Sequence, residues 1–235
     1  MTKEINSFRK GLKDGMPIFF GYLSVSFAFG IFAVGEGLSI LEAVLISLTN
    51  LTSAGQLAAV PILVGGGSFA ELILSQLVIN LRYSLMSVSL SQKLGDSVKM
   101  RHRFPIAFGV TDEIFAVSVS QEENVGKNYL FGLILLPVVG WTLGTLFGAV
   151  AGSVLPEVLA SALGIAIYGM FIAIVVPPAK KHLPTALAVL ASIGIGILLR
   201  MTPISDGFVT ILSAVSVSLL FAFLCPIEEK GEERS

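Results

Sequence analysis

Eight apolar stretches follow one another along this 235-residue chain, at about 16–35, 38–64, 69–92, 104–120, 129–153, 157–177, 184–200 and 207–225. A helix needs about 20 such residues to cross the ~30 Å hydrocarbon core of a bilayer. The stretches are continuously apolar rather than alternating, which excludes the strands of a membrane barrel. Open strands are excluded because lipid leaves their backbone groups unsatisfied. Polar punctuation separates the runs. Gly65-Gly66-Gly67 follows the second, Gln121-Glu122-Glu123-Asn124 the fourth, and Pro177-Pro178 with Lys180, Lys181 and His182 the sixth. The pattern predicts an all-α, polytopic membrane bundle of about seven to eight segments. Lys3, Arg9, Lys10 and Lys13 precede the first run as in a signal peptide. The run from Met16 to Val34 is long and lacks a small-residue cleavage site, so it is read as a retained first helix.

Positive charge gathers at the N-terminus, at Lys93–Lys99–Arg101–Arg103 and at Lys180–Lys181. The positive-inside rule places all three in the cytoplasm. Three apolar stretches separate the first cluster from the second, and three more separate the second from the third, so full spans give the wrong parity both times. Either one stretch in each triplet is broken or re-entrant, or the triplets are inverted repeats and the rule fails at one loop. A short echo favours repeats: Pro17-Ile18-Phe19-Phe20-Gly21 opens one triplet and Pro105-Ile106-Ala107-Phe108-Gly109 the other. On that reading the chain is one membrane domain, 1–235, with halves 14–92 and 103–178 followed by 184–225. Both alternatives require discontinuous helices, a common plan in transporters.

Composition agrees with the pattern. Hydrophobic residues make up 54% and charged residues 13%, and mean hydropathy is +0.87. Soluble domains average about 25% charged residues, so the bilayer must cover most of this surface. The net charge of −1 and the lack of a basic domain give no surface for nucleic acid. Cys225 is the one cysteine and cannot form an internal disulfide, and both histidines, His102 and His182, lie in charged connectors.

The polar residues inside the apolar runs are therefore informative. The second stretch reads Asn50-Leu51-Thr52-Ser53-Ala54-Gly55-Gln56, with Pro61 beyond. Proline removes a backbone donor and glycine eases a non-helical turn, so a broken helix is expected there, with a tight small-residue helix crossing as the alternative. The third stretch carries Gln76, Asn80, Tyr83, Ser84, Ser87 and Ser91 at helical spacing, one stripe expected to face the protein interior. Arg82 falls on nearly the opposite side and needs an anionic partner. Asp112 and Glu113, next to Thr111 in an apolar run, are the obvious partners. A carboxylate at such depth costs roughly 2.5–3.5 kcal/mol on insertion scales and usually marks a polar path or a proton relay. Adjacent residues diverge by about 100° on a helix, so one acid is expected to meet Arg82 while the other faces a cavity. A permanent Arg–carboxylate clasp is the structural alternative. Glu36, Glu42, Glu71, Glu157, Arg200 and Asp206 are expected at the membrane interfaces. Gly140, Gly144, Gly148 and Gly152 form a close-packing face, and Trp141 beside them reads as packing.

The order Gly15–Gly21, Ala54-Gly55-Gln56, Asn80-Leu81-Arg82-Tyr83, Thr111-Asp112-Glu113-Ile114-Phe115-Ala116 and Trp141 with Gly144 resembles the AzlC family along nearly the whole chain. The family usually has histidine where this chain has Tyr83. The resemblance implies a large subunit of a branched-chain amino acid permease or exporter in the cytoplasmic membrane. It implies efflux of valine, leucine, isoleucine or methionine, often with a small AzlD-type subunit.

The residues chosen for substrate binding or coupling are Asn50, Thr52, Ser53, Gly55, Gln56, Asn80, Arg82, Tyr83, Thr111, Asp112 and Glu113. A zwitterion needs cationic or amide groups for its carboxylate and anionic groups for its ammonium. The broken segment and Arg82 match the first need, and Asp112 or Glu113 the second. A channel or a scaffolding subunit is the other reading. An intramembrane enzyme is disfavoured, since no histidine lies in an apolar run and Asp112 is the one deep aspartate. No phosphate-binding loop, metal cluster or cofactor motif is present in the sequence.

Overall fold

The computed structural model describes residues 4–156, 158, 169, 172 and 175–225. The sixth predicted stretch, 157–177, with Glu157, falls largely outside them. Nine helices are described: α1 (Phe8–Gly35), α2 (Ile40–Thr49), α3 (Ser53–Val64), α4 (Phe69–Lys93), α5 (Met100–Phe108), α6 (Asp112–Val119), α7 (Lys127–Val154), α8 (Leu183–Arg200) and α9 (Asp206–Leu224). Among the described residues, five are long and apolar enough to cross a membrane: α1, α4, α7, α8 and the Gly207–Leu224 part of α9. The protein is a helical membrane protein.

The spine of the bundle is the parallel pair α1 and α7. Each has 28 residues, about 42 Å at helical rise. Their contacts climb together: Gly132 meets Phe8, Gly15 meets Leu133, Gly140 meets Phe19, Gly148 meets Phe27 and Gly152 meets Ile31. A Cβ on Gly15 would lie 2.7 Å from the Leu133 carbonyl oxygen, and one on Gly140 2.8 Å from that of Phe19. Glycine thus lets the two backbones touch, the packing that lipid-embedded helices use in place of a hydrophobic driving force. The predicted glycine face of α7 is this seam. Short parallel strands, β1 (Glu4–Ile5) and β2 (Asn124–Val125), extend the pairing ahead of both helices.

The β1–β2 pair also identifies which loops share an end of the bundle. Leu94, just past α4, bridges to Val125, and Glu4 accepts hydrogen bonds from the Ser97 backbone and hydroxyl. The N-terminus, the α4–α5 connector and the α6–α7 connector therefore lie together at one end, here the near end. Only an even number of crossings fits between the N-terminus and Leu94. The element that turns back is α2–α3. Its limbs have 10 and 12 residues, about half a bilayer each, and both open at the far end. They meet at Asn50–Leu51–Thr52, where the backbone is extended. The predicted break in the second stretch is present, three residues upstream of Gly55.

The fourth stretch, read as one helix over 104–120, is instead two. α5 enters from the near end, the chain breaks at Gly109–Val110, and α6 returns to the near end, where Lys10 donates to Gln121. Thr111 explains the restart: it is the N-cap of α6, its hydroxyl accepting from Ile114 N–H. Two re-entrant pairs thus enter from opposite ends and meet in the middle. The Pro17–Gly21 and Pro105–Gly109 echo lands in unlike elements, the first mid-way along α1 and the second in the short α5 and its C-cap.

The final hairpin completes the topology. Glu71, in the first turn of α4 at its far end, is buried against α9, accepting from Ser205 Oγ at 2.6 Å and from Gly207 N–H at 3.0 Å. An α9 that starts with free amides draws the carboxylate inward, since acids favour helix N-termini. α9 therefore begins at the far end. α8 runs antiparallel to it, Gly196 facing Ser213, and its 18 residues return about 27 Å to the near end. Lys180 and Lys181 precede α8 there, so all three basic clusters share one end. The polar stripe of α4 is only partly covered: Gln76, Asn80 and Tyr83 are half-buried, whereas Ser84 and Ser91 are exposed. α4 sits on the outside of the bundle, and its covered face is narrower than the stripe.

The α1–α7 seam makes a direct prediction. Gly148→Val puts a branched side chain into the Phe27 backbone, and overpacking costs about 1–3 kcal/mol, with this backbone clash expected at the upper end. Gly35→Ala, with open space around it, should change stability by under about 1 kcal/mol. Thermal unfolding of the purified protein in detergent distinguishes the two.

Candidate functional site

The two re-entrant tips converge on a cavity of about 620 Å³ in the middle of the bundle, within the range of small-molecule sites. Five elements wall it. Gly21, Tyr22 and Val25 come from the middle of α1, Leu51, Ser53 and Ala54 from the first tip, and Thr111, Asp112 and Glu113 from the second. Ile79, Arg82 and Tyr83 come from α4, and Trp141 from α7. The wall is mostly hydrocarbon, and its charges come from α4 and the second tip.

The two acids take different partners. Asp112 Oδ2 lies 2.7 Å from Arg82 Nη1, while its other oxygen is buried without a hydrogen-bond partner among the described residues. The Arg82 guanidinium also stacks on the Tyr83 ring, 5.0 Å from its centroid, and donates to the Tyr83 hydroxyl at 3.3 Å. Glu113 lies on the other side. Its Oε2 is 2.5 Å from the Tyr22 hydroxyl, which is 2.6 Å from Thr111 Oγ1. One phenolic proton cannot serve both neighbours. It goes to the carboxylate, and the Thr111 hydroxyl supplies its own proton to the phenol oxygen. Glu113 is otherwise exposed to the cavity.

Helix termini add to the field. α6 begins at Asp112 and α3 at Ser53, so both half-helices present their N-terminal ends to the cavity. The acids in the first turn of α6 complement its dipole. α3 has no such complement: its N-cap Thr52 makes no capping bond and donates instead to Asn50 Oδ1 at 2.7 Å. The first-turn amides of α3 are thus left for an anionic group.

Six of the sequence-selected residues line the cavity: Ser53, Arg82, Tyr83, Thr111, Asp112 and Glu113. The other five stand behind it. Asn50, Thr52, Gly55 and Asn80 join Gln76 in an amide cluster that holds the first tip to α4. There Gln76 Nε2 donates to the Gly55 carbonyl at 2.8 Å, and Asn80 Nδ2 to Gln76 Oε1 at 3.1 Å. Gln56 is fully buried, accepting from Trp141 Nε1 at 2.9 Å and donating to Ser47 at 2.8 Å. Its helical position turns it away from the cavity and toward α7. Trp141, read as packing, forms part of the cavity wall, and Tyr22 was not singled out at all. Tyr22 sits in an apolar run, like any membrane tyrosine. Its partner is 91 residues away, so nothing local marks it.

The family model described as "AzlC protein" matches residues 17–155. An uncharacterized membrane protein of Archaeoglobus fulgidus is 37% identical over 184 residues, covering 77% of this chain and 80% of that protein. Inner membrane protein YgaZ of Escherichia coli is 31% identical, over 63% of this chain and 62% of its own length. The branched-chain amino acid transport protein AzlC of Bacillus subtilis is 26% identical, over 63% and 58% respectively. No solved structure matches. The matched span, 17–155, runs from the first cavity residue, Pro17, past the last, Trp141. The chain belongs to the AzlC family.

Proposed function

We propose that this chain is a secondary transporter exporting branched-chain or similar small apolar amino acids (valine, leucine, isoleucine, methionine) across the cytoplasmic membrane. The observation that carries the reading is the mid-bundle cavity, where a cation, two carboxylates and two half-helix N-termini meet an apolar wall. A zwitterion fits that set. Its ammonium approaches the free oxygen of Asp112 and the cavity face of Glu113, and its carboxylate the α3 amides and Arg82. Its aliphatic side chain lies among Val25, Leu51, Ile79 and the aromatic rings. The transport name of the Bacillus subtilis relative agrees with this chemistry. Glu113, held by the Tyr22 phenol, which Thr111 in turn supports, rather than by a cation, is the carboxylate we assign to proton coupling.

The proposed topology has seven membrane segments among the described residues, five spanning helices and two re-entrant pairs, in one transport domain. The basic clusters at the near end orient that end to the cytoplasm. A small AzlD-type membrane subunit is the partner we assign, and the exposed flank of α4 is lipid-facing or partner-facing surface.

Two measurements test the reading. In proteoliposomes, Arg82→Gln, Asp112→Asn and Glu113→Gln should each slow concentrative leucine transport at least about tenfold, since each removes a charge that the zwitterion would meet and a hydrogen bond to a charged group contributes about 1.5–3 kcal/mol. Three wild-type rates dismiss the site, and flux that only follows the leucine gradient favours a channel. For orientation, Asp96→Cys and Glu36→Cys in a Cys225→Ser background are probed in intact cells with an impermeant maleimide. Glu36→Cys should label and Asp96→Cys should not; the reverse result inverts the topology.

A further inference from the structure

Behind the cavity, four buried residues close a ring of hydrogen bonds around one side chain. Trp141 Nε1–H donates to Gln56 Oε1 at 2.9 Å, and Gln56 Nε2 donates to Ser47 Oγ at 2.8 Å. Ser47 and Thr145 hydroxyls lie 2.7 Å apart, and Thr145 donates to the Trp141 carbonyl at 3.1 Å. Counting protons settles the one ambiguous bond. The Thr145 hydroxyl is committed to Trp141, so Ser47 must donate to Thr145, and the ring runs head to tail, each member donating to the next. Gln56, Ser47 and Thr145 are fully buried and Trp141 is 3% exposed.

Packing alone does not call for this ring. A leucine or phenylalanine fills the same space without burying four polar groups, and a partly satisfied network is worse than an apolar core. A closed ring fixes the rotamer of one indole and ties it to α2, α3 and α7 together. The exposed edge of that indole borders the cavity. On its front it meets Tyr22 edge-on, with centroids 5.1 Å apart at 73°.

We infer that Trp141 is the wall that reads the substrate's apolar side chain, and that Gln56, which does not reach the cavity, is the positioning residue that sets that wall from behind. The inference rests on the proposed transport site and adds its specificity element. Freeing the indole lets the wall tilt, so side chains of different length bind alike. Tyr22, which holds Glu113, contributes only the ring edge to this function.

Trp141 is the sole tryptophan of the chain, so its fluorescence reports on the wall directly. Detergent-purified protein is titrated with L-leucine and L-alanine, reading emission and, separately, binding of the radiolabelled amino acid. In wild type, leucine binding should shift Trp141 emission saturably, with the same midpoint as radioligand binding. Folded Gln56→Leu should lose about tenfold of its leucine-over-alanine preference, the scale a pocket wall controls per methylene or two. Tyr22→Phe, which keeps the ring edge, should retain that preference whatever it does to transport. If Gln56→Leu does not fold, Ser47→Ala, which removes the anchor of Gln56 and the bond to Thr145 but leaves the Trp141–Gln56 bond, should show the same loss at a smaller size. Leucine binding with a silent Trp141, or a wild-type preference in the folded ring variant, overturns the inference and leaves the transport reading standing. Absence of any leucine or valine binding to wild type overturns both.

Discussion

A helix that stops halfway through a bilayer bares several N–H groups at one end and several C=O groups at the other, and hydrocarbon offers them nothing. That constraint governs this structure. Both α2–α3 and α5–α6 stop at mid-depth, so their ends must be enclosed by protein. The parallel α1–α7 pair provides the enclosure. Its glycine seam brings two backbones into contact, and the re-entrant tips lean on that narrow spine from opposite ends. Thr111 caps α6, and the amide cluster of Asn50, Gln76 and Asn80 braces the first tip against α4.

Enclosing two helix breaks at one depth also concentrates polarity there. The N-terminal dipoles of α3 and α6 both face the cavity, and Arg82, Asp112 and Glu113 gather beside them. Arg82 neutralises Asp112, which keeps the charge cost of the site low. Glu113 accepts from the Tyr22 hydroxyl instead. Two neighbouring acids thus have unlike environments, one matched to a fixed cation and one to a neutral phenol. The proposed division of labour between substrate binding and proton coupling follows from that difference.

The back of the cavity is handled in the opposite manner. Gln56, Ser47 and Thr145 bond to one another and to Trp141, and none of the three lines the cavity. Their orientation is why Gln56, polar and beside the helix break, is not a ligand contact in this fold. The residue that borders the cavity is the indole it supports. Polarity in a membrane interior marks a place where something is held, which need not be a substrate.

Much of this was legible along the chain. Apolar runs and the lack of alternation establish a helical membrane bundle. Gly55 and Pro61 mark the weak point of the second stretch, and the isolated charges Arg82, Asp112 and Glu113 have nowhere to go but the interior. The three basic clusters also carried the information that the crossings were too many, though not which stretch turned back. Only tertiary structure decided that, through the contact of β1 with β2 and of Glu4 with Ser97. It alone divided the fourth stretch at Gly109, sent Glu71 inward to α9, and brought Tyr22 to Glu113 and Trp141 to Gln56. Burial in lipid depends on composition summed along a segment, which a sequence displays. Pairing across helices depends on which faces meet, and no local signal encodes a partner 85 or 91 residues away.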